Sequence, residues 1–170
     1  LKPLTVMNRA CFFVVIANIT QPLRSTNDCW LLDRGHMSTG VGTSDSHGVL
    51  AEEPGYARTM IFVGAGKDGP GGFSGADVVE AIRKHRAIAT TAPFIEMKVG
   101  DASIGDTVKA GPRVTVNVHV KSPKWAPVDK VILYSNSAIV GQQAVPAALG
   151  GDYEAQFTVD LTKDSWLVAE

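Results

Sequence analysis

The apolar and polar positions of this 170-residue chain follow two different rhythms, one in each half. In the first half, short β-rich runs alternate with segments of helical spacing. "ACFFVVIA" (10–17) is a continuous run of β-branched and aromatic residues, the mark of a strand buried on both faces. "NDCWLLDRG" (27–35) offers an N-cap in Asn27 or Asp28, apolar Trp30, Leu31 and Leu32, and a stop at Gly35, which predicts a short helix. "HMSTGVGTSD" (36–45) predicts a second short strand and "ARTMIFVG" (57–64) a third. A glycine-dense loop, "AGKDGPGGFSG", then leads into a clear helix. Ser74 can cap it, Asp77 sits in its first turn, and Val78, Val79, Ala81 and Ile82 oppose Glu80, Arg83 and Lys84. "AIATTAPFIEMKVG" returns to β-type residues, with Pro93 forcing an extended or turn conformation on Ala92.

From about residue 94 helical periodicity disappears. "FIEMKV", "RVTVNVHVKS", "DKVILYSNS", "AIVGQQAV" and "YEAQFTVDL" recur at the spacing of an all-β sandwich. In "VTVNVHV" the valines at 114, 116, 118 and 120 share one face, which places Thr115, Asn117 and His119 on the solvent side. Trp125 and Trp166 fall in this half, where core packing is the default expectation. The predicted architecture is α+β: an α/β portion over residues 1–92 joined near Pro93 to an antiparallel, Ig-like β-sandwich over 93–170.

Composition narrows the function classes. The chain is 45% hydrophobic and 19% charged, an ordinary globular balance, and its formal net charge is −1. The 16 Lys and Arg are scattered and form no basic stripe, so nucleic acid is not an expected partner. The longest apolar run is far short of the roughly 20 residues of a membrane-spanning helix, so no membrane role is expected either. Cys11 and Cys29 lack Cys-x-x-Cys spacing.

The candidate chemistry lies in "TSDSHG". In an extended segment, side chains at i and i+2 point the same way, so Asp45 and His47 can converge on one point and suit a divalent cation. The same residue types also crowd ordinary surface turns. Arg58 can hold an anionic or carbonyl group bidentately, or bridge loop carboxylates such as Glu52 and Glu53. Tyr56 reads as a pocket aromatic with a polar tip or as loop packing, and Thr90 with Thr91 as site lining or as strand residues fitting the pleat.

Four motifs in succession, "WLLDRGHMSTGVGTSDSHG", "EEPGYARTMIFV", "VVEAIRKHRAIATTAPFIEM" and "DSWLVAE", resemble the C-terminal half of the polymerase-and-histidinol-phosphatase (PHP) family of metal-dependent hydrolases. The closer likeness is to its carbaryl-hydrolase-like (CehA/McbA) branch, and it covers residues 28–170. The resemblance implies a distorted (β/α) barrel, here present as a C-terminal remnant, followed by the sandwich. It implies metal-ligand roles for Asp45 and His47, which match the family's last Asp-x-His motif. For the intact enzyme it also implies a divalent cofactor (Zn, Mn or Fe) and a small-molecule substrate, with no metal required in this chain alone; Arg58 and Tyr56, in a segment characteristic of that branch, are the candidate substrate contacts. The activity it implies is attack of a metal-activated water on a phosphoester, ester or carbamate.

The family's earlier ligands, beginning with His-x-His, have no counterpart upstream of Asp45, where His36 is the one other histidine. The chain begins without Met and stops in a β-like run. The expectation is therefore a fragment that is inactive alone, in which no residue of this chain is assigned a catalytic role. Uncovered apolar barrel surface would favour a homo-oligomer or a rearranged N-terminal strand, with "CFFVVIA" the segment seeking a partner edge. The alternative is a non-catalytic binding or structural module carrying a vestigial metal loop.

Overall fold

The fold is known from a computed structural model, which describes residues 8–14, 27–44, 46–48, 55–147 and 151–170; of 8–14 and 27–29 it describes the backbone. Eleven strands and two helices follow one another in the described residues. They are β1 (Asn8–Val14), α1 (Asn27–Asp33), β2 (Arg58–Ile61), α2 (Gly75–Arg83), β3 (Ala87–Thr90), β4 (Phe94–Val99) and β5 (Ala102–Ser103). The remainder are β6 (Thr107–Ala110), β7 (Arg113–Lys121), β8 (Lys130–Ser135), β9 (Ala138–Ala144), β10 (Asp152–Asp160) and β11 (Ser165–Ala169).

Two sheets share one core. One runs β10-β7-β4-β5 and the other β6-β1-β11-β8-β9. All pairs within them are antiparallel except β1 with β11. The valine alternation of β7 behaves as its sequence dictates: Val114, Val116, Val118 and Val120 are buried, while Thr115 and Asn117 face out. Against these valines pack Ile95 and Met97 of β4, Ala155, Phe157 and Val159 of β10, and Val131, Leu133 and Leu167 from the opposite sheet. The long β7–β10 ladder is closed at one end by the exposed Arg113–Asp160 pair, in which the guanidinium holds the Asp160 carboxyl below its usual range.

β11 is buried at every position, because its other face also has a cover. Leu32 of α1 packs on Trp166, Val168, Ile132 and Tyr134. Asp33, at the end of the same helix, accepts hydrogen bonds from the Trp166 indole N–H (2.9 Å) and the Ser137 hydroxyl (2.5 Å). One apolar and two polar contacts thus seat α1 on the sheet.

β2 and β3 form a separate antiparallel ribbon with α2 connecting them. The parallel pairing that a (β/α) barrel repeats does not occur between these two strands. Ile88 of β3 belongs to the sandwich core, and Met60 and Phe62 pack against it, with Phe62 tilted onto Phe94. An Arg86–Asp106 pair ties this layer to the loop before β6.

Two sequence expectations need correction. Residues 36–44 form no strand, because Gly40 and Gly42 interrupt the β-branched run and the segment takes its bonds from side chains. Trp125 is not a core residue but is 68% exposed on the loop between β7 and β8. The strand read at residues 10–17 is described over Asn8–Val14, where it pairs with the chain's own β11 and β6; residues 15–17 lie outside the described residues. The side chain of Cys11 lies outside what is described.

Candidate functional site

The site is built from the ends of the β2–β3 ribbon. Arg58 opens β2 and pairs in register with Thr90, the last residue of β3. Segment 39–44 runs along this ribbon and is pinned at two points. Near the start of β3, the Thr39 hydroxyl donates to Ile82 O (2.6 Å) and lies 2.9 Å from His85 Nδ1. Because that hydroxyl proton is committed to Ile82, Nδ1 is the donor to Thr39 Oγ1. Burial pushes the His85 imidazole below its ordinary value.

At the other pin, Gly42 N donates to Thr59 Oγ1 and Thr59 Oγ1 donates back to Gly42 O, both at 3.0 Å. Only glycine allows this approach: a Cβ on residue 42 would stand 2.7 Å from Arg58 O and 3.3 Å from Ala89 Cβ. The segment therefore travels from the start of β3 towards its end, where Gly42 lies against Arg58 and Ala89. His47 is five residues past Gly42, a reach of at most about 17 Å.

Of the residues singled out in the sequence, His47, Arg58 and Tyr56 are exposed, Tyr56 half so. Asp45 lies outside the described residues, as do Glu52 and Glu53, the carboxylates with which Arg58 could pair. Thr90 is buried and structural. Its hydroxyl donates to Pro93 O (2.6 Å) and accepts from Ala92 N (3.1 Å), which closes the tight turn from β3 into β4. Thr91 is buried beside it.

His47 offers one exposed imidazole. Among the described residues no group of three or more His, Cys, Asp and Glu could hold a metal ion. The described donors therefore do not fit a metal cluster by themselves; they fit one ligand of such a site.

Two other places were open to functional readings. The glycine-dense loop before α2 leads to a helix N-terminus, a form that often takes phosphate. Here Ser74 Oγ accepts from Asp77 N (3.3 Å), Asp77 accepts from Ser74 N (2.8 Å), and Lys67 pairs with Asp77 at 2.5 Å. The chain's own carboxylate fills the anion position, and the lysine and backbone bonds hold it far below the usual carboxylate range. His119 was legible as a solvent-side residue of β7, but not its partners. It is half-buried between Asp152 on β10 (2.6 Å from Nε2) and Glu96 on β4 (3.5 Å from Nδ1). Its two nitrogens face different carboxylates in opposite directions, so these groups brace three strands and do not converge on a single ion.

Comparison with protein-family models, with curated proteins and with solved structures gives no match for the chain.

Proposed function

We propose that this chain contributes the Asp45-Ser46-His47 ligand loop, the Tyr56–Arg58 substrate segment and a β-sandwich to a PHP-type metal-dependent hydrolase acting on a small phosphoester, ester or carbamate. The remaining ligands come from outside these 170 residues, and the chain alone is inactive. On this reading residues 1–92 are the C-terminal portion of a (β/α) barrel and 93–170 an immunoglobulin-like domain. The observation that supports it is segment 39–44, pinned by Thr39 and by the glycine-only contact of Gly42 with β2, so that His47 follows five residues after a point fixed against Arg58. The cation is zinc, manganese or iron, to which imidazole and carboxylate are suited. The pairing of β1 with β11 has a physical reason within the same reading, since an apolar strand without its barrel neighbours takes the sheet position open to it.

A second reading has its own support. The two sheets enclose a core drawn from both faces, as a self-sufficient binding or structural module would, with the Asp-Ser-His loop a vestige. Equilibrium dialysis of the purified chain against Zn²⁺ or Mn²⁺ separates the two. The hydrolase reading expects uptake that disappears in Asp45→Ala/His47→Ala, without turnover of p-nitrophenyl phosphate by the chain alone. If the parent takes up no metal and matches the double variant, the sandwich module is what stands.

A further inference from the structure

Each sheet of the sandwich ends in an edge strand, β10 in one and β9 in the other, and the two edges are finished differently. β10 carries Asp152, Glu154 and Asp160, and the Gln156 carbonyl on its outer edge accepts from Gln143 Nε2 (2.7 Å). Charges and a covering side chain guard an open strand against pairing with another chain. β9, "AIVGQQA", has neither a charge nor a proline in its seven residues. The opposite edges are shorter, β5 with two residues and β6 with four.

β9 is held firmly on its inner side. A Cβ on Gly141 would collide with the Phe157 ring, so only glycine lets the strand lie this close to β10. Gln143, besides donating to Gln156 O, accepts from the Tyr153 hydroxyl (3.2 Å). The outer edge of β9 is open. Ile132 of β8 exchanges both of its backbone bonds with Glu170 (2.7 and 2.8 Å), so its β9 partner Gln142 turns N–H and C=O away from β8. Val145 N donates to Asp129 O, and the same alternation turns the backbone of Ala144 outward as well. Both side chains are exposed. Two features bracket this stretch. The register shift opposite Leu133 and Tyr134 leaves Val140 as a bulge on one side, and Pro146 lacks an N–H on the other. Between them Gly141–Val145 is a segment centred on Gln143, with its outward backbone at 142 and 144.

We infer that β9 is a pairing edge for a second copy of this chain, joined antiparallel about a twofold axis at Gln143. Such an axis sets Gln142 opposite Ala144 of the second copy and Ala144 opposite its Gln142, and each pair exchanges both backbone bonds. What selects the chain itself as occupant is this symmetry: the bulge and the proline leave an edge that matches its own rotated image, and no like charges meet across the axis. Ile139 and Val140, 43% and 39% exposed at the approach to the edge, gain cover in the joined sheet. The pairing uses no metal and none of His47, Tyr56 and Arg58, so it goes beyond the hydrolase reading and stands or falls separately from it.

The test is sedimentation velocity of the full chain over a concentration series, where a monomer–dimer equilibrium is expected. Gln142→Lys/Ala144→Lys sets like charges directly across both pairs and should leave monomer alone, as should Gln142→Glu/Ala144→Glu. Both side chains are exposed, so neither double change threatens the fold. An equimolar mixture of the two variants should recover the dimer, because the same register then sets lysine opposite glutamate at both pairs. A parent chain that stays monomeric at every concentration would overturn the inference. So would a dimer that persists undiminished in the lysine variant, which would place the contact on another face. Two variants that remain monomeric when mixed would contradict the pairing about Gln143.

Discussion

The sandwich and the β2–α2–β3 layer are held by different physics. In the sandwich, interior side chains such as Val116, Leu133 and Leu167 have no exposed surface, and strands pair over up to nine residues. In the layer, α2 buries Ala81 alone and leaves Val79 and Ile82 partly in water, with Phe73 exposed just ahead of the helix. Apart from β3, whose Ile88 joins the sandwich core, its hold comes from particular polar contacts: Thr39 with Ile82 and His85, Gly42 with Thr59, and Arg86 with Asp106. The residues with chemical promise, His47, Tyr56 and Arg58, belong to the second region. Stability resides in the well-packed part, and the candidate ligand and substrate-contact residues lie outside it.

The largest effect should come from the sandwich. Leu167→Ala removes a fully buried side chain between two sheets and should cost about 3 kcal/mol of unfolding free energy, read from the denaturant midpoint. A loss below about 1 kcal/mol would mean that this core is far looser than its burial implies. Next is Gly42→Ala, whose new methyl must displace the Arg58 carbonyl at a cost of about 1–3 kcal/mol. Faster amide exchange confined to β2 and β3 would show that the layer opens on its own. A uniform increase through β7 and β10 would show instead that the two regions unfold as one.

Asp33→Ala comes third. It leaves the Trp166 N–H without its acceptor and should cost about 1–2 kcal/mol, while Trp166→Phe made in the Asp33→Ala background adds little of that term. A full additional loss would show that the indole N–H had found another partner.

The smallest effect is a pH dependence. The folded-state pKa of His85 lies below its ordinary value of 6.5 because burial disfavours the cation. The unfolded chain then binds the proton more readily, so stability is full above pH 6.5 and declines as the pH falls below it. His85 sits at φ 57°, a conformation that Asn tolerates, so His85→Asn should abolish this slope without strain. An unchanged slope between pH 7 and 5.5 would assign it to other groups.

Much of the sandwich was legible because period-two alternation is a local signal. Val114 to Val120 announce which face of β7 is inside, and Ser74 with Asp77 announces the start of α2. What was not legible depends on distant partners. No periodicity in "CFFVVIA" says that β1 lies parallel to β11, since that choice is made some 150 residues away. Segment 36–44 has β-type residues but is held by two threonine side chains, Thr39 and Thr59, a hold that pattern reading cannot supply. Trp125 looked like core because tryptophan usually is; the two prolines around it, Pro123 and Pro127, were the signal that its loop stands clear. Of the site, the residue types of His47, Tyr56 and Arg58 could be read, and the pairing of Arg58 with Thr90 could not.

A metal-ligand loop at the Arg58 end is most directly tested by adding Mn²⁺ to the isotopically labelled chain and following paramagnetic broadening of its amide signals. Broadening should centre on residues 46–48 and spread to Arg58, Thr59 and the Thr90–Pro93 turn, and it should vanish in His47→Ala. Broadening centred on Glu96, His119 and Asp152, or none in the parent chain, would contradict the placement of a metal-ligand loop at the Arg58 end.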